Sequence, residues 1–126
     1  TADSRSVLRD HVSLKHATIQ SGNVAGLIAG LFQEDYELIG RSLRDVIAEP
    51  YRATLIPGFY EVKEAVKSAG ALGMGISGSG PTLFALSKGA ESVKAISKAA
   101  QEVYESIGLG VDTYYSAINT RGAYVL

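Results

Sequence analysis

The residues with the clearest chemical potential form a short polar stretch, Ser77-Gly78-Ser79-Gly80-Pro81-Thr82. Two apolar runs flank it, Ala71–Ile76 and Leu83–Leu86. Runs of that length, bounded by turn residues, indicate buried strands. The two glycines can take positive φ, while Pro81 has a fixed φ and no amide hydrogen. Backbone N–H groups released by such a turn can point into a concavity that suits an anion.

This stretch does not match the nucleotide-binding P-loop, because no lysine follows the glycines and a strand rather than a helix is predicted after them. A plain glycine-rich connection between two strands is the alternative to an anion site, since short glycine motifs also occur where no ligand binds. The serine and threonine hydroxyls could bind a phosphate or hydrogen-bond the loop itself. For residues 1–126 alone, we expect only the second role.

Residues 75–86, Gly-Ile-Ser-Gly-Ser-Gly-Pro-Thr-Leu-Phe-Ala-Leu, resemble the third, C-terminal motif of the GHMP kinases, a superfamily of small-molecule kinases. Three other segments resemble its homoserine kinase branch. They are residues 49–58 (Glu-Pro-Tyr-Arg-Ala-Thr-Leu-Ile-Pro-Gly), 1–5 (Thr-Ala-Asp-Ser-Arg) and 119–123 (Asn-Thr-Arg-Gly-Ala). The resemblance covers nearly the whole chain. Its serine-glycine motif marks the superfamily, and the other segments point to the branch.

The resemblance implies the substrate-side C-terminal domain of an enzyme that transfers the γ-phosphate of ATP to the hydroxyl of L-homoserine, on the route to threonine. It implies that ATP and Mg²⁺ are bound mainly by an N-terminal nucleotide-binding domain that residues 1–126 do not contain. That domain and L-homoserine are the expected partners, and no cofactor is expected on these residues alone. Two alternatives stay open: a mevalonate-type GHMP kinase, and a ferredoxin-like regulatory or binding module without catalysis.

The resemblance places Arg5 and Arg52 at substrate-contacting positions. A guanidinium is a permanent cation whose planar fork matches a carboxylate, so either residue could hold the α-carboxylate of an amino-acid substrate. The alternative is a surface arginine paired with a nearby acid, Asp3 or Glu49. Thr1 resembles the threonine that lies near the transferred phosphate and the substrate hydroxyl in this family.

The glycine-rich loop is the other part of the implied site, and the resemblance puts it beside the phosphate-binding loop of the other domain. Its members are Ser77, Gly78, Ser79, Gly80 and Thr82. No residue is assigned as a catalytic acid or base, because no carboxylate pair is recognisable. No metal site is predicted, since His11 and His16 are five residues apart and do not align on one helix face.

Composition limits the other functions. The 126 residues are enough for one domain, and we expect all of them to belong to it. Twelve basic and thirteen acidic residues give a net charge of −1, which predicts no nucleic-acid partner. The absence of cysteine excludes disulfides and fits a cytoplasmic location. The most apolar stretch, residues 24–32, is too short to cross a membrane, so no membrane partner is predicted. A homodimer is left open.

Hydrophobic spacing predicts the elements that must position these residues. Helical patterns cover residues 12–19 and 24–32, with a break or kink at Gly22. A further helix follows, with its apolar face over residues 38–47, and Pro50 should end it. An acidic pair, Glu34-Asp35, could cap the beginning of that helix.

The second half of the chain alternates helices with strands. Helical spacing recurs over residues 62–69 and 93–107, and each helix is followed by a glycine. Alternating β-formers at residues 111–117 and 123–126 predict a second hairpin. Strands grouped as hairpins, with helices between and before them, indicate the α+β class. The resemblance implies a ferredoxin-like, four-stranded antiparallel sheet with helices packed on one face.

Overall fold

The computed structural model describes residues 2–125, which form six α-helices, one short 3-10 helix and two strands. In chain order these are α1 (Ala2–Ser6), α2 (Leu14–Gln33), α3 (Tyr36–Ser42), α4 (Glu49–Arg52), the 3-10 helix (Ala53–Leu55), α5 (Phe59–Ser68), β1 (Ala71–Ile76), β2 (Leu83–Ser87) and α6 (Glu91–Ser106). The α+β class is confirmed. None of these helices combines the length and the apolar character needed to cross a membrane.

α2 is one continuous helix of 20 residues, so a break into two helices, one of the two alternatives predicted at Gly22, is wrong. Two other glycines explain how closely α2 lies against α3. A Cβ atom added at Gly26 would lie 2.5 Å from Ser42 Oγ, and one added at Gly30 would lie 3.0 Å from Ile39 Cγ1. The glycines therefore allow α2 to approach α3 closely. This packing outweighs the low helix propensity of glycine.

α3 begins as predicted, because the Asp35 carboxylate accepts a hydrogen bond from the Leu38 N–H over 2.9 Å. It ends at Ser42, so the prediction that the helix continues as far as Pro50 is wrong. Pro50 lies instead in the first turn of α4, where a backbone N–H has no helical partner to lose. Residues 43–48 form an irregular loop because side chains bind their backbone groups, as described for the site below.

The hydrophobic core lies between α5, α6 and β1, and the helical spacing of the sequence predicts its helical members. Its most buried side chains on these elements are Phe59, Val62, Val66, Ala71, Met74, Ile96 and Tyr104. α3 also approaches β1, since a Cβ atom added at Gly40 would lie 2.9 Å from the Leu72 carbonyl oxygen. Helices on both the N-terminal and the C-terminal side of the hairpin therefore hold it in place.

β1 and β2 form the predicted antiparallel hairpin. Met74 lies opposite Ala85, and Ile76 lies opposite Leu83, with a register irregularity near the beginning of β1. The ladder ends at this last pair, so residues 77–82 project from the end of the hairpin as a loop.

The predicted second hairpin is not present among residues 2–125, whose sheet has two strands. The four-stranded ferredoxin-like sheet, with helices on one face, is therefore not confirmed. The alternating pattern does describe the first side chains of the segment, because Val111 and Thr113 are partly buried while Tyr114 is exposed. A strand also needs a neighbouring backbone to pair with, and Tyr115 is already 69% exposed.

Candidate functional site

The Arg52 side chain connects three of the segments that the sequence analysis singled out. Its Nε donates a hydrogen bond to the Ser4 carbonyl over 3.2 Å, and its Nη1 donates one to the Gly78 carbonyl over 3.0 Å. Ser4 belongs to α1, which also carries Arg5, and Gly78 belongs to the glycine loop. Segments that lie 48 and 26 residues from Arg52 in sequence thus meet at one guanidinium.

The Arg52 guanidinium keeps both charge and donors for a ligand. A guanidinium has five N–H donors, and the two carbonyls are neutral acceptors that do not cancel its charge. Within residues 2–125, no carboxylate forms a salt bridge with Arg52. Glu49, the acid named as its alternative partner, pairs with Lys63 instead. The arrangement is therefore suited to binding an anion in a charge-assisted contact.

Asp45 fixes the backbone that leads into the helix of Arg52. Its Oδ1 accepts hydrogen bonds from the N–H groups of Ile47 and Ala48 over 2.7 and 2.8 Å, and its Oδ2 accepts one from Glu49 over 3.1 Å. The Glu49 N–H is the first of α4, where N–H groups lack partners within the helix and a negative charge is favourable, and the other two donors directly precede the helix. Asp45 therefore holds the turn that leads into α4.

Two side chains of α2 hold the same loop from the other side. Gln20 Oε1 accepts a hydrogen bond from the Val46 N–H over 2.9 Å, and Asn23 Nδ2 donates one to the Arg44 carbonyl over 2.8 Å. The sequence analysis did not identify Gln20 and Asn23. Their spacing of three residues, which places two amides on one helix face, was the available signal.

The glycine loop is closed by its own backbone. The Ser77 N–H donates to the Thr82 carbonyl over 2.8 Å, and the Gly80 N–H donates to the Ser77 carbonyl over 3.1 Å. Gly78 and Gly80 have φ angles of 60° and 76°, so both take the positive φ that their residue type allows. A Cβ atom at Gly80 would lie 3.1 Å from Ile56 Cδ1, whereas Gly78 has open space around it.

The hydroxyl groups of the loop are not used to close it. Ser77, Ser79 and Thr82 make no side-chain hydrogen bond to any residue in the range 2–125, so the expectation that they cap the loop is wrong. The N–H groups of Gly78 and Ser79 also lack an acceptor in that range. Neighbouring N–H groups beside a left-handed residue are typical of anion-binding backbone concavities. The loop therefore offers hydroxyl and backbone donors to an external group.

Arg52, the backbone of α1 and the glycine loop together form the Arg52 cluster. The other predicted substrate residues are less closely connected to it. Arg5 is exposed on α1, one residue after Ser4, and it forms no salt bridge within residues 2–125, including to Asp3. No hydrogen bond in that range links the Arg5 side chain to Arg52. Thr1 lies outside the described residues. The structure thus brings together Arg52, the backbone of α1 and the glycine loop. Arg5 is connected to them only because it lies on α1, beside Ser4.

Two cavities lie near this cluster without including Arg52 or the glycine loop. One, of about 160 Å³, lies between α2, the loop at residues 43–48 and the hairpin. The other, of about 190 Å³, is bordered by Arg9, His11, His16 and Tyr51, with the Arg9 guanidinium carbon 5.4 Å from the centre of the Tyr51 ring. The Arg52 cluster itself faces outwards, so enclosing a small molecule there would require a further wall.

Comparison with known proteins relates this geometry to one enzyme family. The sequence profile of the family "GHMP kinases C terminal" matches residues 27–106. Homoserine kinases from Chlorobium phaeobacteroides (strain BS1) and Chloroherpeton thalassium are 52% and 47% identical to the chain, over all of its length and 40% of theirs. The crystal structure of homoserine kinase from Cytophaga hutchinsonii is similar with a TM-score of 0.92 and 49% identity, over 94% of this chain and 38% of that one.

The chain thus spans 40% of the length of the curated relatives it matches. The profile covers well over half of the chain, and both Arg52 and the glycine loop lie inside the matched range. The solved structure agrees with the fold over nearly the whole chain. This chain therefore belongs to the GHMP kinases, as a member of their C-terminal family.

Proposed function

We propose that this chain is the substrate-side C-terminal domain of a homoserine kinase, which transfers the γ-phosphate of ATP to the hydroxyl of L-homoserine. The observation that carries the proposal is the Arg52 guanidinium, which two backbone carbonyls hold and which no carboxylate neutralises within residues 2–125. An amino acid presents one α-carboxylate, and a fixed guanidinium fork is the side chain that matches it. The homoserine kinases that are 47–52% identical to the chain support this choice of substrate.

Phosphoryl transfer depends mainly on positioning and on stabilising charge, so the proposed roles are of that kind. Arg52 holds the α-carboxylate of L-homoserine, and Arg5 and Thr1 contribute further contacts to the substrate. The loop donors, namely the hydroxyls of Ser77, Ser79 and Thr82 and the N–H groups of Gly78 and Ser79, face the phosphate. The hydrogen bond from Arg52 to Gly78 supports this division, because it links the two halves of the site.

ATP and Mg²⁺ complete the reaction in this proposal, and the N-terminal domain of the longer enzyme binds them. When bound, they supply the transferred phosphoryl group and neutralise its developing charge. The loop is compatible with a phosphate group beside it, since Gly78 has open space around it and unused N–H donors adjoin it. The N-terminal domain also supplies the missing wall of the Arg52 cluster.

The N-terminal domain also provides the setting in which the C-terminal segment forms strands, since that segment has no strand partner among residues 2–125. Residues 1–126 act as one domain, and residues 111–117 and 123–126 become strands of a four-stranded, ferredoxin-like sheet when the rest of the enzyme is present. Tyr114, Tyr115 and Tyr124 are exposed, and the outer edge of β2 pairs with no strand among residues 2–125. Both observations support that arrangement, because open strand edges tend to recruit another strand. A cytoplasmic location remains a prediction that belongs to this function, and a homodimer stays open.

A chimaeric enzyme tests the proposal. The N-terminal domain of the homoserine kinase from Chlorobium phaeobacteroides (strain BS1), a relative 52% identical over this chain, would be joined to residues 1–126. We expect ATP-dependent phosphorylation of L-homoserine by the chimaera, none by residues 1–126 alone, and little by either with mevalonate. The relative's own enzyme is the positive control. A folded chimaera that prefers mevalonate, or that phosphorylates neither compound, would overturn the proposal.

A further inference from the structure

Glu49 and Arg52 are three residues apart on α4, where side chains are neighbours on one helix face. A carboxylate and a guanidinium at that spacing ordinarily attract each other and form an ion pair. Here they do not, because Glu49 Oε1 accepts a hydrogen bond from Lys63 Nζ of α5 over 2.5 Å. The cation that neutralises Glu49 is thus on a different helix from Arg52.

The Glu49 carboxylate is buried, with 8% of the residue exposed, and a buried carboxylate needs a cation or several hydrogen-bond donors. Within residues 2–125, Lys63 is the one cation that forms a salt bridge with it. Lys63 is itself held in place, because its ammonium lies 5.5 Å from the centre of the Phe59 ring, one helical turn earlier on α5. Phe59 is a core residue, so the position of this ammonium is set by the hydrophobic core.

We infer that Lys63 keeps Arg52 available to an anionic ligand by holding the Glu49 carboxylate. Without the lysine, the cation on the same helix face as Glu49 is Arg52. A carboxylate turned towards Arg52 would occupy the donors that the two carbonyls leave unused, and would cancel the charge that attracts the ligand. Lys63 and Glu49 are therefore positioning residues, which act through Arg52 and do not touch the ligand.

The identity of the ligand as L-homoserine rests on the proposed function, whereas the effect of Lys63 on Arg52 does not. Any small carboxylate should report the state of the guanidinium. A test on residues 1–126 can therefore use acetate and L-homoserine as separate probes, and observe the Nε–H signal of Arg52 by NMR in the ¹⁵N-labelled chain.

The informative variant is Lys63→Met, which removes the ammonium and keeps an aliphatic stem against Phe59. Its Arg52 Nε–H signal should differ from that of the original chain before any ligand is added. The affinity for acetate should fall by about tenfold, the size expected when one charge-assisted contact is lost. The double variant Glu49→Gln with Lys63→Met should regain the original signal and the original affinity, since no carboxylate remains to compete.

Lys98→Met is the matched control, because it breaks an exposed salt bridge of 3.5 Å to Glu102 on α6. It should leave the Arg52 signal and the acetate affinity unchanged. If Lys63→Met does not fold, Lys63→Gln should change the Arg52 signal and the acetate affinity in the same direction by a smaller amount, because a neutral amide donates to Glu49 more weakly than the ammonium does.

In the chimaeric enzyme, Lys63→Met should raise KM for L-homoserine and leave KM for ATP unchanged. A Lys63→Met chain that is less stable but binds acetate as the original does would show a purely structural salt bridge and overturn the inference. The inference also fails if acetate never perturbs Arg52 in the original chain. Acetate binding that depends on Lys63, together with a chimaera inactive on L-homoserine, would instead overturn the proposed function and leave the inference standing.

Discussion

Arg52 and Gly78 are joined by a hydrogen bond of 3.0 Å from the guanidinium Nη1 to the carbonyl oxygen, across 26 residues of sequence. Because the donor is charged, this bond is stronger than one between neutral groups. It links the side chain that we propose for the substrate carboxylate to the loop that we propose for the phosphate. A change at either residue should therefore affect the placement of the other.

Replacing Arg52 by lysine should separate charge from geometry. The ammonium retains the charge but lacks the planar fork, so it cannot serve the two carbonyls and a carboxylate together. In the chimaeric enzyme, we expect KM for L-homoserine to rise by about tenfold or more, equivalent to about 1.4 kcal/mol, with KM for ATP little changed. Steady-state kinetics with each substrate varied in turn provides the measurement.

The control for this substitution is Arg41→Lys on α3, an exposed arginine without a salt bridge in the described part of the chain. Arg41→Lys should change neither KM for L-homoserine nor KM for ATP. Unaltered L-homoserine kinetics in Arg52→Ala would instead make Arg52 a structural link between α1 and the glycine loop.

Gly78→Ala and Gly89→Ala form a matched pair. Both glycines have positive φ, 60° and 71°, and neither has an atom within 4 Å of an added Cβ. Each alanine should thus lower the free energy of unfolding by about 1–2 kcal/mol, through backbone strain alone. We expect only Gly78→Ala to lower kcat in the chimaera, because only that residue lies in the loop bound by Arg52. Urea denaturation and kcat should be measured on the same samples.

Equal kcat values per folded molecule in the two variants would contradict a functional loop. Gly80→Val adds a steric effect, since a Cβ at Gly80 would lie 3.1 Å from Ile56 Cδ1 and 3.3 Å from Ile76 Cγ2. Its loss of stability should exceed that of Gly78→Ala.

The glycines of α2 should respond in opposite directions to alanine. An added Cβ at Gly22 meets nothing within 4 Å, so Gly22→Ala should raise the free energy of unfolding by about 0.5–1 kcal/mol through helix propensity. An added Cβ at Gly30 would lie 3.0 Å from the Ile39 backbone nitrogen and 3.2 Å from the Asp35 carbonyl oxygen, so Gly30→Ala should lower it. Thermal unfolding of both variants tests this, and stabilisation by Gly30→Ala would show that α2 and α3 are not closely packed there.

Burial raises the pKa of Tyr104 above its ordinary value of 10.0. The unfolded chain therefore ionises this phenol at a lower pH than the folded chain does. Its contribution to stability is constant below pH 10.0 and is lost as the pH rises through the folded-state pKa. Tyr104→Phe should thus lose less stability than the original chain over that rise. The control is Tyr115→Phe, at an exposed position, and equal pH profiles for Tyr104→Phe and the original chain would contradict the prediction.

Local patterns were enough to predict the elements whose formation depends on near neighbours in sequence. α5, α6 and the β1–β2 hairpin follow from the spacing of apolar residues and from the turn residues that bound them. The cap at Asp35 and the positive φ of Gly78 follow from residue type. Arg52 and the glycine loop were also identifiable from the sequence, because their residue types and their resemblance to the GHMP kinases are local information.

Only the tertiary structure decided the features that depend on distant partners. Gln20 binds the backbone of Val46 across 26 residues, which helps to keep the loop after α3 out of a helix. Glu49 pairs with Lys63 although Arg52 is nearer in sequence. Residues 111–117 show strand alternation but lack a paired backbone in the described chain. Spacing specifies which face a side chain occupies, whereas the choice of partner depends on which surfaces the fold brings together.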